Sequence, residues 1–232
     1  HFRNATVGDS LSLDAWSQLA IQYQAAADSN GTIETFKQML RIAPTNQALR
    51  EQAFRLFLAY DRANEALNVA NEGIEQDPTN PDMYDLKSNA CLFNSDFPCA
   101  IDALEQVYAL DPEKADSNFF LKISVAASQQ PDTARLLKWS RMGADKYPAN
   151  APILDFLVKA YSYAGPVDSL VASTRRYLAV DSSDVTPALV ATQSLINAKR
   201  YEDAYALGDL AMRLGDENAR NQFAGILIQT VQ

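Results

Sequence analysis

The sequence predicts an all-α fold, an α-solenoid of about six helix-turn-helix units followed by a C-terminal capping helix. Two observations predict it. Turn-forming tetrapeptides recur at a nearly constant spacing, with their second residues at positions 44, 78, 112, 148, 182 and 216. Between the turns, apolar residues follow the i, i+3, i+4, i+7 spacing of amphipathic helices. A period of about 34 residues is typical of stacked helical hairpins, each of which buries its apolar face against its neighbours.

The spacing also predicts the boundaries of the units. Residues 1–12 form an N-terminal tail, and residues 13–232 form a single array because the period is unbroken. The predicted units are 13–46, 47–80, 81–114, 115–150, 151–184 and 185–218, and the capping helix is 219–232. The fourth unit is two residues longer than the others, and we place its insertion near Gln129-Gln130-Pro131.

Residues that start helices support this division. Pro81, Pro152 and Pro187 lie where the first helix of a unit begins, and proline is tolerated there because that N–H has no partner within the helix. Asn80 and Asn150 lie directly upstream, where their side chains are suited to N-capping. Three of the six predicted units therefore begin with a recognisable helix start.

Composition excludes several function classes. The 232 residues are 47% apolar and 21% charged, which is typical of a folded chain with a large core. The formal net charge of −9 argues against nucleic acid as a partner, because the phosphate backbone is bound by basic surfaces. No apolar run approaches the roughly 20 residues of a membrane-spanning helix, so we expect no direct membrane insertion by this segment.

The first unit resembles the tetratricopeptide repeat, whose pattern is Trp-x2-Leu-Gly-x2-Tyr, then a small residue, Phe and Pro. The matching residues are Trp16, Leu19, Tyr23, Phe36 and Pro44, and Ala20 replaces the family glycine while still letting the helices approach closely. The other five units match in part, and the resemblance covers about residues 13–232. It implies a right-handed solenoid whose first helices line a concave face that binds protein segments.

The resemblance also implies which side chains reach that face. They stand at positions 2, 5, 9, 12 and 13 of each unit, with position 6 at the edge. The predicted partner-binding residues are Phe93, Phe119, Phe120, Ile123, Phe156, Tyr163, Asp85 and Asp155. Acidic residues predominate at these positions, which favours a partner with basic residues around apolar anchors. Two alternatives stay open: the tail or a tightly wound superhelix covers the face, or a register error places some of these residues in the core.

Cys91 and Cys99 flank the turn of the third unit, at about the same height in the predicted hairpin. They are either a disulfide or two small thiols, and the sequence leaves both open. The cysteine pair, the sequons Asn4-Ala5-Thr6 and Asn30-Gly31-Thr32 and the absence of an initial Met favour a periplasmic or surface-anchored location over a cytoplasmic one. The start at His1 leads us to expect that an upstream segment was removed.

We expect no enzyme. The only histidine is His1, and the sequence contains neither a glycine-rich phosphate loop nor acidic residues at metal-ligand spacing, so we expect no cofactor and no metal. The leading hypothesis is a scaffold that binds a protein or peptide in its groove. The alternative is a structural subunit of a larger assembly, self-associated or filamentous, whose apolar faces are permanently covered.

Overall fold

The computed structural model describes residues 12–228. Over these residues the secondary structure is entirely helical, with one short 3-10 turn at Pro112–Lys114 and no strand. The helices are α1 Leu13–Ala25, α2 Ser29–Ile42, α3 Gln47–Ala59, α4 Ala63–Gln76, α5 Pro81–Phe93, α6 Phe97–Leu110, α7 Ser117–Ser128, α8 Thr133–Lys146, α9 Ala151–Tyr163, α10 Val167–Val180, α11 Thr186–Asn197, α12 Tyr201–Leu214 and α13 Glu217–Ile228. The predicted all-α helical-repeat fold is confirmed.

The helices form two compact units, with the boundary between Lys114 and Ala115. Unit 1 contains α1 to α6 and unit 2 contains α7 to α13, and in each unit consecutive helices pack as hairpins. The last helix begins at Glu217, two residues before the predicted start of the capping helix. Most of the predicted tail (1–11) and the end of the predicted cap (229–232) lie outside the described residues.

Side-chain caps define where the first helices begin. Asn46, Asp116 and Asn150 each accept a hydrogen bond from the backbone N–H three residues later, at 3.0, 2.8 and 3.1 Å. Asn80 caps α5 through the N–H of Asp82 at 3.0 Å. These bonds satisfy N–H groups that have no partner inside the helix.

The two additional residues of the fourth predicted unit both lie upstream of α7. Six residues separate α6 from α7, and the 3-10 turn lies among them, whereas four residues separate α2 from α3 and α4 from α5. The turn between α7 and α8 is one residue longer than the turn between α5 and α6, but α7 is one residue shorter than α5, so the spacing from first to second helix is unchanged. Placing the insertion near Gln129-Gln130-Pro131 was therefore wrong, and α7 begins at Ser117 rather than near 115.

Each unit has its own core. In unit 1, Phe54 and Phe57 of α3 pack with the fully buried Ala66 and Ala70 of α4, whose small side chains let the helices approach closely. In unit 2, Phe119 and Phe120 pack around Trp139, with ring centroids 5.6 and 6.4 Å from the indole. The cores leave the exposed faces of the helices for other roles.

Candidate partner-binding site

In unit 2, α9 and α11 are each the first helix of a hairpin, and together they border a cavity of about 220 Å³. Asp155, Lys159 and Tyr163 line it from α9, and their spacing of four residues places them on one side of that helix. From α11 the lining residues are Thr186, Pro187 and Val190. The cavity therefore lies between the first helices of two successive hairpins.

The cavity has an apolar floor and accessible apolar walls. Val158 is buried at its base, with 1% of its surface exposed. Tyr163 is 58% exposed and Val190 is 43% exposed. Exposed apolar side chains that lie together and are bordered by polar residues can mark an interaction site.

Asp155, the acidic residue that lines the cavity, lies where its ionised form is disfavoured. Burial raises the pKa of the Asp155 carboxyl above its ordinary value, and the nearby Asp184 raises it further, while Lys159 acts in the opposite direction. The pKa of the buried Tyr177 hydroxyl is also raised, first by burial and then by Asp184, Asp181 and Asp155. Negative charge is thus concentrated beside the cavity, and a cationic group there would be favoured.

Three predicted binding residues lie in the core instead. Phe119 is 3% exposed, Phe120 is 2% exposed and Ile123 is completely buried. These side chains pack inside unit 2 against α8. Gly143 of α8 lets that helix approach α7 closely, because a Cβ at this position would lie only 2.9 Å from the Cβ of Phe120. The prediction that these three side chains contact a partner is therefore wrong for this structure.

The reason is the register of α7. Counted from Ser117, the buried residues of α7 occupy helix positions 3, 4, 7, 8, 10 and 11, and α9 counted from Ala151 buries positions 3, 4, 7, 8 and 10. The predicted register began two residues earlier and so assigned core positions to the groove. In the observed register, the residues equivalent to Asp155 and Lys159 are Leu121, which is half-buried, and Val125, which is 40% exposed.

Val125, Leu121 and Val190 were missed by sequence reasoning. A signal for the first two was present in the chain: the cap residues Asn80, Asp116 and Asn150 are 36 and 34 residues apart. Aligning the units on these caps, rather than on the turns that precede them, places the insertion before Asp116 and gives the observed register.

The other predicted residues differ in exposure. Phe93, the last residue of α5 in unit 1, is 51% exposed. Asp85, on the same helix, is half-buried and accepts a hydrogen bond from the Asn89 side chain at 3.2 Å. Phe156 of α9 is half-buried. These three side chains stay candidates for partner contact.

Cys91 and Cys99 form a disulfide between α5 and α6, with their Cα atoms 5.8 Å apart. Cys91 is fully buried, whereas Cys99 is half-buried and borders a cavity of about 260 Å³ with Tyr84 and Lys87. The bridge joins α5 to α6 on either side of the turn that follows Phe93. It decides between the two predicted alternatives in favour of a disulfide.

None of the helices in the described residues combines the length and the apolar character that crossing a membrane requires.

Comparison with known proteins identifies the repeat. Residues 22–90 match the family model for the tetratricopeptide repeat. No curated protein sequence matches the chain significantly.

Solved structures share the fold at low sequence identity. YrrB, a TPR protein with an unusual peptide-binding site, matches with a TM-score of 0.67 and 11% identity over 83% of this chain and 97% of that chain. MamA from Desulfovibrio magneticus RS-1 matches with a TM-score of 0.59 and 14% identity, over 72% and 93%. PilF of Pseudomonas aeruginosa matches with a TM-score of 0.54 and 12% identity, over 94% and 97%. The chain therefore contains tetratricopeptide repeats over residues 22–90, and the repeated hairpins of its described residues share the fold of these solved structures.

Proposed function

We propose that this protein is a scaffold that holds a segment of a partner protein against the first helices of unit 2, with the cavity between α9 and α11 as the anchor site. Tetratricopeptide repeats generally form non-enzymatic scaffolds for protein–protein interaction. The observation that carries the proposal is the cavity itself, where the accessible Tyr163 ring and Val190 face a buried apolar floor. The peptide-binding site of YrrB supports a peptide as the class of ligand.

The size of the cavity favours a side chain over a free small molecule. Pockets for drug-sized ligands have volumes of about 300–1,000 Å³. This cavity is about 220 Å³, which suits one inserted apolar side chain of a longer segment. Aromatic rings such as Tyr163 commonly provide much of the affinity at the centre of an interface.

The charges beside the cavity favour a basic residue next to that anchor. Asp155 is partly desolvated and lies near Asp184, so a lysine or arginine of the partner would relieve the repulsion between the two carboxylates. Lys159 lies one turn further along the same wall, where an acidic group of the partner would be favoured. We therefore expect a segment with an apolar anchor and at least one adjacent cation.

Peptide selection tests the proposal. A phage-displayed library of random 12-residue peptides is selected on the wild-type protein, and the enriched peptides are measured by calorimetry. We expect enriched sequences to combine an apolar residue with lysine or arginine. Tyr163→Ala should weaken their binding about thirtyfold, since truncating an interface aromatic commonly costs about 2 kcal/mol.

Tyr205→Ala is the matched control, because Tyr205 is 65% exposed on α12 and does not line the cavity. Equal affinity in Tyr163→Ala and wild type would contradict the proposal. Light scattering after size exclusion tests the alternative role, that of a structural subunit. A stable assembly that buries Tyr163, together with failure to select any peptide, would favour a structural subunit.

A further inference from the structure

Unit 1 contains a second cavity of different construction, between the second helices α2 and α4 of its first two hairpins. Its volume is about 440 Å³, twice that of the cavity between α9 and α11. The floor is apolar and buried: Leu40, Phe57 and Val69 are 5%, 0% and 4% exposed. The helices α2 and α4 make little direct contact, as do the second helices α8 and α10 in unit 2, whereas α10 and α12 contact each other.

A buried arginine next to this cavity forms hydrogen bonds to residues on both of its walls. Arg50 of α3 is 3% exposed and donates to the carbonyl of Pro44, in the turn that follows α2, at 2.6 Å. It also donates to the Val69 carbonyl and the Gln76 side chain of α4, at 2.8 and 3.1 Å. The two walls are therefore connected through one charged side chain, and the cavity is preformed.

The two walls carry opposite charge. Lys37 and Arg41 line the cavity from α2, and Glu65, Glu72 and Glu75 line it from α4. Lys37 pairs with Glu34 at 3.0 Å, and Glu72 lies 3.9 Å from Arg50. Within the part of the chain that the structure describes, Arg41, Glu65 and Glu75 form no ion pair. One cation and two carboxylates at the rim are thus available to a ligand.

The spacing of the α4 wall follows helix–helix packing. Glu65, Asn68, Glu72 and Glu75 lie at i, i+3, i+7 and i+10, the stripe that one helix presents to another. This stripe extends for about 15 Å at 1.5 Å per residue, or about three helical turns. A third helix lying between α2 and α4 would place its apolar ridge over Leu40, Phe57 and Val69, with each flank beside one wall.

We propose that the cavity between α2 and α4 is a docking site for an amphipathic helix of a partner protein, with acidic residues on the flank facing α2 and basic residues on the flank facing α4. The charge pattern is that of coiled-coil flanks, where complementary charges beside an apolar seam select the partner. The site is separate from the cavity between α9 and α11 and does not depend on the function proposed for it.

A designed peptide tests this site. The probe is a fluorescein-labelled 16-residue helix with leucines at i, i+3, i+7 and i+10, glutamates on one flank and lysines on the other. We expect it to bind the full chain, and a peptide with glutamine on both flanks to bind at least tenfold more weakly by anisotropy. Hydrogen exchange should show protection confined to α2, α4 and the adjoining α3.

Charge reversal on the α4 wall provides the decisive variants. Glu75→Lys should weaken binding of the probe at least fivefold, and Glu65→Lys should do the same. Glu65 lies in the first turn of α4, so its reversal also weakens that helix, but Glu75 lies in the last turn, where lysine is favourable. Glu113→Lys is the control, because it makes the same charge change at an exposed residue of unit 1 away from the cavity.

Three results would overturn the inference. They are no binding of the probe to the wild-type protein, equal binding by the glutamine-flanked peptide, and equal binding by Glu75→Lys and Glu113→Lys. Protection on α9 and α11 instead of α2 and α4 would also overturn it. Because Tyr163→Ala leaves unit 1 unchanged, it should not affect binding of this probe, which distinguishes failure here from failure of the peptide site.

Discussion

In unit 2, the helices α7 and α9 bury nearly the same helix positions but carry aromatic side chains at different ones. α7 buries Phe119 and Phe120 against Trp139, with ring centroids 5.6 and 6.4 Å from the indole. α9 leaves Tyr163 58% exposed at the edge of a cavity. The comparison shows that aromatic content does not distinguish a buried helix face from an exposed one in a repeat protein.

The helical phase makes the difference. One turn contains 3.6 residues, so a shift of two residues rotates a side chain by about 200° around the helix axis. The two additional residues before α7 therefore exchange its faces relative to the predicted register. Phe119 and Phe120 face the core, and Leu121 and Val125 face the side that Asp155 and Lys159 occupy on α9.

The largest expected effect is on the stability of unit 2. Phe119→Ala should lower the free energy of unfolding by about 3–5 kcal/mol, because it removes a buried ring and leaves a cavity. Tyr163→Ala should lower it by no more than about 0.5 kcal/mol, as expected at an exposed site. Urea unfolding followed by circular dichroism measures both. Equal losses in the two variants would break the comparison between α7 and α9.

A pair on α7 sharpens the assignment of its faces. Ile123 is completely buried and Val125 is 40% exposed. Ile123→Ala should destabilise the protein by about 2–5 kcal/mol, whereas Val125→Ala should cost only about 0.5 kcal/mol. Melting temperatures of the two variants, measured at one protein concentration, test this order. A greater loss in Val125→Ala would mean that the register of α7 is incorrect.

The N-cap residues of α7 and α9 should contribute equally to stability if the two helices begin in the same way. Asp116 and Asn150 accept hydrogen bonds from the N–H groups of Phe119 and Ile153, at 2.8 and 3.1 Å. Asp116→Ala and Asn150→Ala should each cost about 1 kcal/mol of stability. Denaturant midpoints provide the measurement. No effect of Asp116→Ala would mean that this residue does not set the start of α7.

The smallest effect concerns pH. The pKa of Asp155 in the folded protein is raised above its ordinary value of 3.8 by burial and by Asp184, against the opposing effect of Lys159. The folded state therefore holds this proton more tightly than the unfolded state. The contribution of Asp155 to stability falls as pH rises from 3.8 through its folded pKa.

Asp155→Asn should remove this part of the pH dependence and raise stability at neutral pH relative to wild type. Thermal unfolding from pH 3.5 to 7 compares the two proteins. On α7 the equivalent residue is Leu121, which does not titrate, so Leu121→Ala serves as the control. Parallel pH profiles of wild type and Asp155→Asn would show that burial does not perturb this carboxyl.

Much of the architecture could be predicted from the sequence because its signals are local. The repeat period predicted a helix-turn-helix array, and the helices fall at that period except around the insertion. Asn80 and Asn150 cap helices as expected, since a cap requires only a side chain and an N–H a few residues away. The candidate site was predicted in part: Asp155 and Tyr163 do line one cavity.

Only the tertiary structure decided which apolar side chains are core and where concave surfaces form. The burial of Phe119 depends on the phase of α7 and on Trp139 in the next helix. The cavity between α2 and α4 depends on Arg50, which contacts Pro44 and Val69 across different helices. Cys91 and Cys99 permitted either a bridge or free thiols until their Cα atoms were placed 5.8 Å apart.

The sequence by itself determined the period, the helix starts and the chain's acidic character, because these depend on neighbouring residues and composition. Packing decided the rest, since the distance between two helices depends on every side chain between them.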